Sequence, residues 1–296
     1  MKLGALEAGG TKMICATATE DGKILERFTV PTDTPETTMP SVAGWFREQK
    51  IDALGIGCFG PLDLDRKSPR YGQITSSPKL DWRGFDIVGY FAKEVKTSRG
   101  NPLPIGFDTD VNCACLGEAT WGSTTNVNSS IYITVGTGIG VGIISEGRLH
   151  HGMLHPEAGH ILIDQLSTDK FVGSCPYHRG ERHCLEGLAS GPAIEARWGK
   201  KAFQLGDRPE VWELEAHYLA TAVVNYILVL SPSRIVIGGG VMNQKQLYPM
   251  IRERVLVLMN NYMPLPNLDR YIVPPDLDGD QGVMGGVKLA LMECGR

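Results

Sequence analysis

Two stretches of this chain repeat one order of strands and turns, and this repeat constrains the fold more than any other feature. Residues 2 to 30 and residues 131 to 149 each contain three short segments of β-forming side chains separated by two turns. The turns are Gly10-Thr11 and Asp21-Gly22 in the first stretch, and Gly136-Thr137 and Glu146-Gly147 in the second. The pattern predicts two halves with one strand arrangement. Hairpins often contain Gly and Asp, so chance similarity is the alternative.

The segments between and after these hairpins alternate between helix and strand. Residues 38 to 50 are predicted to form a helix, and Ala53 to Cys58 a buried strand. The strongest helical pattern runs from Val211 to Leu230, where apolar side chains recur on one face until a proline ends it. Arg234 to Ile237 is then a short buried strand that leads into the glycines at 238 to 240. This alternation indicates an α/β protein.

The composition is typical of a soluble protein with a sizeable core. The 296 residues are 42% hydrophobic and 21% charged, and the net charge is −4. This charge does not favour nucleic acid or an anionic membrane as a partner, and no apolar stretch is long enough to span a bilayer. The N-terminal sequence has no apolar signal core, and the seven cysteines are an odd number. We therefore expect a cytoplasmic protein without a disulfide framework.

Three glycine-rich turns, each directly after an apolar strand, favour a nucleotide-binding function. They are EAGGTK at residues 7 to 12, VGTGIGVG at 135 to 142 and IGGGV at 237 to 241. Glycines let a phosphate or a ribose approach the backbone, whereas any one of the three alone is more simply a tight turn. The P-loop pattern is absent. A GxGxxG string at 55 to 60 is followed by Pro61 rather than by a helix, so it does not predict a dinucleotide site.

The segment FDTDVNCACLGE, residues 107 to 118, places carboxylates where a strand meets a helix. Asp108, Thr109 or Asp110 could simply cap that helix, which is a common use of such residues. Asp110 could instead be a general base that accepts a proton from an attacking hydroxyl group, as phosphoryl transfer requires. The glycine-rich turns favour the second interpretation.

A group of cysteines and histidines in a polar segment predicts a metal site. HPEAGH at residues 155 to 160 is followed by CPYH at 175 to 178 and then by Cys184. Structural zinc takes four Cys or His ligands, and the predicted set is His160, Cys175, His178 and Cys184. His155 and His183 are spare candidates, and a loop with unliganded thiols is the alternative.

Together with GPLD at residues 60 to 63, these motifs resemble those of the ROK family (repressors, ORFs and sugar kinases), and within it those of the bacterial fructokinases. The resemblance covers nearly the whole chain. It implies an α/β, two-lobed actin-like ATPase fold of the ribonuclease H-like kind, with duplicated lobes of sheet and helices. The lobes are expected at residues 1–118 plus about 280–296, and at 119–279, with a zinc-binding segment at 155–186.

The resemblance also implies a role for each motif in an ATP-dependent hexose kinase. Asp110 would be the catalytic base. The nucleotide would be bound by Gly9, Gly10, Thr11, Lys12, Thr137, Gly138, Pro192, Gly238, Gly239 and Gly240. The sugar would be bound by Asn112, Glu157, His160 and Glu186, and His160 would also be a zinc ligand. Mg²⁺ with ATP, a structural Zn²⁺ and assembly as a homodimer complete the expectation.

Fructose is the expected sugar, with D-fructose and ATP giving D-fructose 6-phosphate and ADP. Glu7, where many family members have Asp, and His178, where many have Cys, both match the fructokinase branch. Thr109 replaces an Asn that usually contacts sugar, so a mannokinase or a glucokinase is an alternative. A sugar-responsive, non-catalytic regulator is the alternative of a different class, and the net charge and the start of the first ATP-site strand at Leu3 argue against it. Asp110 and the zinc ligands argue against a non-catalytic actin-like scaffold.

Overall fold

The computed structural model describes residues 1–178 and 183–295. The strands are β1 (Leu3–Ala8), β2 (Lys12–Ala18), β3 (Ile24–Pro31), β4 (Ala53–Cys58), β5 (Ile105–Thr109), β6 (Ser130–Val135), β7 (Ile139–Ser145), β8 (Arg148–Leu149), β9 (Arg234–Gly238) and β10 (Ile272–Val273). The α-helices are α1 (Pro35–Gln49), α2 (Ile87–Glu94), α3 (Asp110–Trp121), α4 (Leu185–Ala189), α5 (Gly191–Trp198), α6 (Pro209–Leu230), α7 (Leu247–Met259), α8 (Leu268–Tyr271) and α9 (Gln281–Glu293). Within the described residues, no helix has both the length and the apolar character needed to cross a membrane.

The chain forms two compact units, and each is made of separate stretches. The first unit comprises Met1–Asn126, Leu149–Pro156 and Asp276–Arg296, and the second comprises Val127–Arg148 and Glu157–Pro275. The lobe limits expected from the sequence, 1–118 with about 280–296 and 119–279, stay a prediction. Within the expected zinc-binding segment, residues 179–182 lie outside the described part of the chain.

Each unit is built on a five-stranded sheet, and the two sheets share one topology. The strand order is β3-β2-β1-β4-β5 in the first unit and β8-β7-β6-β9-β10 in the second. In both sheets the first two strands form an antiparallel hairpin, and the fourth strand runs parallel to the first. Gly10-Thr11 lies between β1 and β2, and Gly136-Thr137 lies between β6 and β7. The duplicated α/β fold predicted from the internal repeat is therefore confirmed.

Both faces of the central strands β1 and β4 are buried, as expected for a sheet with helices on both sides, whereas the edge strand β3 is largely exposed. In β1, Leu6 belongs to the core cluster that contains Phe46 of α1. Ala5, which points the other way, belongs to the cluster that contains Val283 and Val287 of α9. The second unit has one large cluster, formed around β6, β9 and the long helix α6.

The backbone of helix α9 contacts the backbones of β4 and α3, because glycines occupy the points of contact. A side chain on Gly55 in β4 would overlap the backbone of Gly286, and one on Gly285 would overlap the carbonyl group of Cys113 in α3. A side chain on Gly57 would begin 2.6 Å from the Cys113 Sγ atom. Gly55 and Gly57 belong to the GxGxxG string, so that string reflects helix packing rather than a dinucleotide fingerprint.

Gly285→Ala is expected to destabilise the protein, although alanine normally favours a helix. The added methyl group meets a backbone carbonyl group, which cannot rotate away, and overpacking of this kind costs about 1–3 kcal/mol. The matched control is Gly44→Ala in α1, where the nearest atom is 3.7 Å from the new carbon and stability should rise by about 0.5–1 kcal/mol. Urea denaturation of both variants measures the difference, and equal changes would contradict the packing argument.

Candidate active site

The turn between β1 and β2 combines a fixed backbone with accessible residues. Gly9 N donates a hydrogen bond to Lys12 O over 3.1 Å, and Thr32 Oγ1 donates to Gly9 O over 2.7 Å. Gly10, Thr11 and Lys12 are exposed. The predicted phosphate-binding turn is therefore held by hydrogen bonds while its tip stays open to a ligand.

The carboxyl group of Glu7, near the end of β1, lies in an environment that is unfavourable for its charged form. A side chain on Gly282, in the first turn of α9, would begin 2.6 Å from the Glu7 carboxyl carbon. Among the described residues, the buried Oε2 atom of Glu7 has no hydrogen-bond partner. Burial, and then the charge of Asp110, raise the pKa of Glu7 to about 7, while Lys12 acts in the opposite direction. A bound cation would supply the partner that this oxygen lacks.

Asp110 is the first residue of α3, at the carboxyl end of β5. The N-cap of the helix is Thr109, because its Oγ1 accepts a hydrogen bond from Asn112 N over 3.1 Å. Asp110 Oδ1 accepts from Val111 N over 2.8 Å, and the side chain is partly exposed. The sequence left the capping function open among three residues; the structure assigns it to Thr109 and leaves Asp110 for another function.

Asn112, a predicted sugar-binding residue, is buried within the first unit. It is 1% exposed, and its Nδ2 donates to Asp108 Oδ1 over 2.7 Å. Asp108 is buried too, and the same oxygen accepts from Thr109 N. The amide group therefore holds Asp108 in place, and a direct contact of Asn112 with a sugar stays a prediction.

The β6–β7 turn of the second unit, like the β1–β2 turn of the first, is held by hydrogen bonds. Gly136 N donates to Gly138 O over 2.9 Å. Gly136 O accepts from Gly191 N over 2.8 Å, directly before Pro192. Thr137 is exposed at the tip of the turn. The start of α5 is thus tied to the β6–β7 turn, which brings two segments of the predicted nucleotide site together.

The three glycines at the end of β9 serve different purposes. Gly239 has a φ of +92°, and a side chain there would overlap the backbone of Val135 at the end of β6. Only glycine fits both the conformation and the space. A side chain on Gly240 would meet nothing within 4 Å. A side chain on Gly238 would begin 2.5 Å from the hydroxyl oxygen of Tyr132 in β6. Gly238 and Gly239 therefore belong to strand packing, whereas Gly240 borders open space.

A cavity of about 610 Å³ lies in the second unit beside these turns. Its lining includes Thr137, Pro192 and Gly240 from the predicted nucleotide-binding set. It also includes side chains that the sequence analysis missed, among them those of Glu195, Lys201, Phe203, Asn243 and Gln244. No motif marks these residues, because α5 and the short 3₁₀ turns after it and after β9 bring them together only in the fold. The volume suits a small ligand of nucleoside size.

The predicted zinc ligands come together in the second unit. One ligand atom from each of His160, Cys175, His178 and Cys184 lies within 4.8 Å of all the others. In three pairs a cysteine Sγ atom and a histidine Nδ1 atom are 3.5 to 3.8 Å apart. Tetrahedral zinc with Zn–S of about 2.3 Å and Zn–N of about 2.0–2.1 Å sets such atoms about 3.6 Å apart. The donor types and their spacing therefore fit zinc.

Neither spare histidine belongs to this group of four. His155 lies in the first unit, where its Nε2 accepts a hydrogen bond from Leu62 N over 3.0 Å. His183 is buried, and within the described residues its Nδ1 has no hydrogen-bond partner. The set chosen from the sequence is the one that the structure brings together.

His160 links the zinc-type cluster to Glu186. Its Nδ1 faces the two cysteines, and its Nε2 is 3.7 Å from Glu186 Oε1. The other carboxylate oxygen of Glu186 accepts from Ile139 N over 2.9 Å, directly after the β6–β7 turn. Glu157 is exposed and precedes the 3₁₀ turn that ends at His160. Three of the predicted sugar-binding residues thus belong to one region of the second unit.

Comparison with known proteins agrees with these features. The model of the ROK family matches residues 3–293. A fructokinase candidate from Bacillus subtilis (strain 168) is 48% identical over 292 residues, covering 97% of this chain and 95% of that protein. The fructokinase of Pediococcus pentosaceus is 43% identical over 290 residues, covering 98% of each. A glucokinase from Thermotoga maritima is more distant, at 26% identity and coverage of 98% and 97%.

Solved structures show the same fold. A ROK hexokinase from Thermus thermophilus has a TM-score of 0.77 at 24% identity, covering 100% of this chain and 99% of that chain. A ROK family glucokinase from Streptomyces griseus, in complex with glucose and AMPPNP, has a TM-score of 0.76 at 23% identity, covering 99% and 100%. The duplicated sheets, the match over residues 3–293 and the identity to fructokinases lead to one conclusion: the chain belongs to the ROK family and has its actin-like ATPase fold.

Proposed function

We propose that this chain is an ATP-dependent fructokinase, which converts D-fructose and ATP into D-fructose 6-phosphate and ADP. The observation that carries the proposal is the 43% identity to a fructokinase over 98% of both chains. The geometry agrees with it, because each unit has a glycine-threonine turn after its first strand and the first unit has a partly exposed carboxylate at the start of α3. Phosphoryl transfer needs such turns for the phosphates and such a carboxylate for the acceptor.

Asp110 carries the proton transfer in this mechanism. Its carboxylate accepts the proton of the 6-hydroxyl group while the hydroxyl oxygen forms a bond to the γ-phosphorus of ATP and the bond from that phosphorus to the departing ADP breaks. Hydrogen bonding by Val111 N and capping by Thr109 hold the carboxylate at the helix start. The acceptor is the furanose form of fructose, because in the pyranose form the 6-oxygen closes the ring.

Each unit, taken by itself, offers groups that suit part of a nucleotide. In the first unit, the exposed tip of Gly10, Thr11 and Lys12 offers backbone N–H groups and an amine to phosphates. In the second unit, the cavity lined by Thr137 and Pro192 has room for the nucleoside. Mg²⁺ bound with ATP would neutralise phosphate charge, and the half-buried Glu7 carboxylate, with one oxygen lacking a partner, suits a nearby cation.

The sugar-binding assignment in the second unit rests on Glu157, His160 and Glu186. Glu186 is oriented by Ile139 N, and His160 stands between Glu186 and the two cysteines. We propose that zinc is held by His160, Cys175, His178 and Cys184 and that its role is structural, because it fixes the ring of His160 beside Glu186. The family resemblance further supports a cytoplasmic homodimer.

The purified protein should release ADP fastest with D-fructose in a panel that includes D-mannose and D-glucose. NMR of the product should place the new phosphate on carbon 6. Asp110→Asn should fold normally and lose on the order of 10²-fold or more in kcat, because a general base contributes about that much. A coupled ADP-release assay measures both effects.

The matched control for Asp110→Asn is Asp21→Asn, at an exposed residue of the turn between β2 and β3. That turn is at the opposite end of β2 from Gly10 and Thr11, so kcat should not change. Near-normal turnover by Asp110→Asn would refute the role of the carboxylate. Faster turnover of mannose or glucose would retain the kinase and replace the sugar.

Glu7→Gln should make the protein more stable at about pH 8 while lowering kcat. The folded-state pKa of Glu7 is about 7 and the ordinary value is 4.5, so the folded protein binds the extra proton between these values. Stability contributed by this group is therefore full below about pH 4.5 and is lost as the pH rises through about 7. Removing the buried charge should restore about 1–3 kcal/mol at high pH and much less at low pH.

Differential scanning calorimetry at about pH 8 and at about pH 4.5 tests the Glu7 prediction. The control is Glu26→Gln, at an exposed residue of β3. The Tm of this control should differ from that of the wild type by the same amount at the two pH values. A Glu7→Gln variant with the same stability as the wild type at high pH would show that the carboxyl group is not a strained one.

Elemental analysis should find about one zinc ion per chain, since one four-ligand site is complete in the described residues. Chelation, or Cys184→Ser, should lower Tm by roughly 5 °C or more, as each kcal/mol lost corresponds to about 2–4 °C for a domain of this size. Cys294→Ser is the matched control, because Cys294 lies just after α9 and outside the cluster. Equal effects of the two substitutions would contradict a metal role.

A further inference from the structure

The segment Leu149–Pro156 belongs to the first unit, although the residues before and after it belong to the second. Contacts of two histidines hold the segment in the first unit. His151 Nε2 lies 2.9 Å from Asp108 Oδ2, and His155 Nε2 accepts a hydrogen bond from Leu62 N. The side chain of His151 is 38% exposed, whereas His155 is 6% exposed. Of the two, His151 is the one that can readily exchange protons with solvent.

Asp108, the partner of His151, is a carboxylate whose side chain is 5% exposed. Its Oδ1 atom accepts from two neutral donors, Thr109 N and Asn112 Nδ2, and its Oδ2 atom faces His151. Within residues 1–178 and 183–295, the ion pair recorded for Asp108 is the one with His151. A buried carboxylate without a counter-charge is costly, so the ion pair with His151 stabilises the Asp108 carboxylate.

Asp108 shares its surroundings with the proposed base, Asp110. The thiol pKa of Cys113 is raised first by burial and then by the charges of Asp108, Asp110 and Glu7. Three carboxyl groups, from β1, β5 and α3, therefore act on the same buried thiol, and like charges that share one environment repel one another. Among the described residues, other titratable groups that respond to these acids include the thiol of Cys58 in β4, the phenol of Tyr71 and the guanidinium group of Arg27.

We propose that His151 is a positioning residue that keeps Asp110 ionised for catalysis. The imidazolium group of His151 gives Asp108 its counter-charge, so the acidic end of β5 repels the charge on Asp110 less. With the pair intact, Asp108 also keeps its hydrogen bonds to Thr109 N and Asn112 at the start of α3. The inference rests on the proposed function, in which Asp110 is the general base.

The ion pair also affects the histidine. Hydrogen bonding to Asp108 raises the pKa of His151, while burial acts in the opposite direction. The imidazole therefore stays charged to a higher pH than an ordinary histidine, which extends the pH range in which Asp108 is compensated.

The test compares pH profiles of kcat/KM for fructose from about pH 5.5 to about pH 9. His151→Gln keeps a hydrogen-bond donor for Asp108 and removes the charge. The acid limb of its profile should move to higher pH, with kcat/KM at the acid end falling about tenfold for each pKa unit of the move. Activity at the alkaline end should approach that of the wild type, and KM for ATP should not change.

Two further variants make the result specific. His150→Gln, at the neighbouring exposed histidine, is the matched control and should leave the profile unchanged. The double variant Asp108→Asn with His151→Gln removes both charges and should return the acid limb to its wild-type position. It also replaces His151→Gln if that variant does not fold, because no unpaired buried carboxylate remains in it.

An equal loss at every pH would overturn the proposal, since a merely structural role predicts a uniform loss. A double variant whose acid limb stays displaced would overturn it as well. Asp110→Asn separates this failure from failure of the proposed function. If Asp110→Asn is active, the assignment of the base is wrong; if it is inactive and His151→Gln has a wild-type profile, only the role of His151 is refuted.

Discussion

The backbone contact of α9 with β4 and α3 is the interaction on which the first unit depends. Because Gly55, Gly285 and Gly286 have no side chains, the three elements approach until main-chain atoms touch. Two helix starts are set by this approach: α3 begins with Asp110, and the first turn of α9 meets Glu7. The separation of the acidic groups is therefore a result of close packing, which side chains of any size at the glycine positions would change.

This close packing has an energetic cost, because it brings acidic side chains into the environment of Cys113. Glu7, Asp108 and Asp110 all add to the effect of burial on the Cys113 thiol, and burial, followed by the charge of Asp110, raises the pKa of Glu7. Such clustering is typical of functional sites, where stability is given up for chemistry. The second unit differs, because its functional region is held by Gly159 against β7 and by the Tyr226 hydroxyl donating to Ala158 O.

Features carried by residue type and local spacing could be predicted from the sequence. The repeated turns revealed the duplicated sheets, and the ligand chemistry of Cys and His identified the four members of the metal-type cluster. Features that depend on distant packing could not be predicted. Phe203 and Asn243 line the same cavity because two 3₁₀ turns that are distant in sequence lie side by side in the fold, and no local sequence pattern predicts this. The assignment of Leu149–Pro156 to the first unit depends on partners 43 and 93 residues away.

The division of the first unit into separate stretches has a consequence for biosynthesis. Every residue of the second unit precedes Asp276, so a ribosome delivers that unit in full before it delivers the helix that covers Gly55 and Ala5. The first sheet therefore emerges before the second unit, and its cover follows only after that unit. During translation, the apolar face of the first sheet that packs against α9 stays exposed until α9 has been made. This exposed face is where nascent-chain binding factors would be needed most.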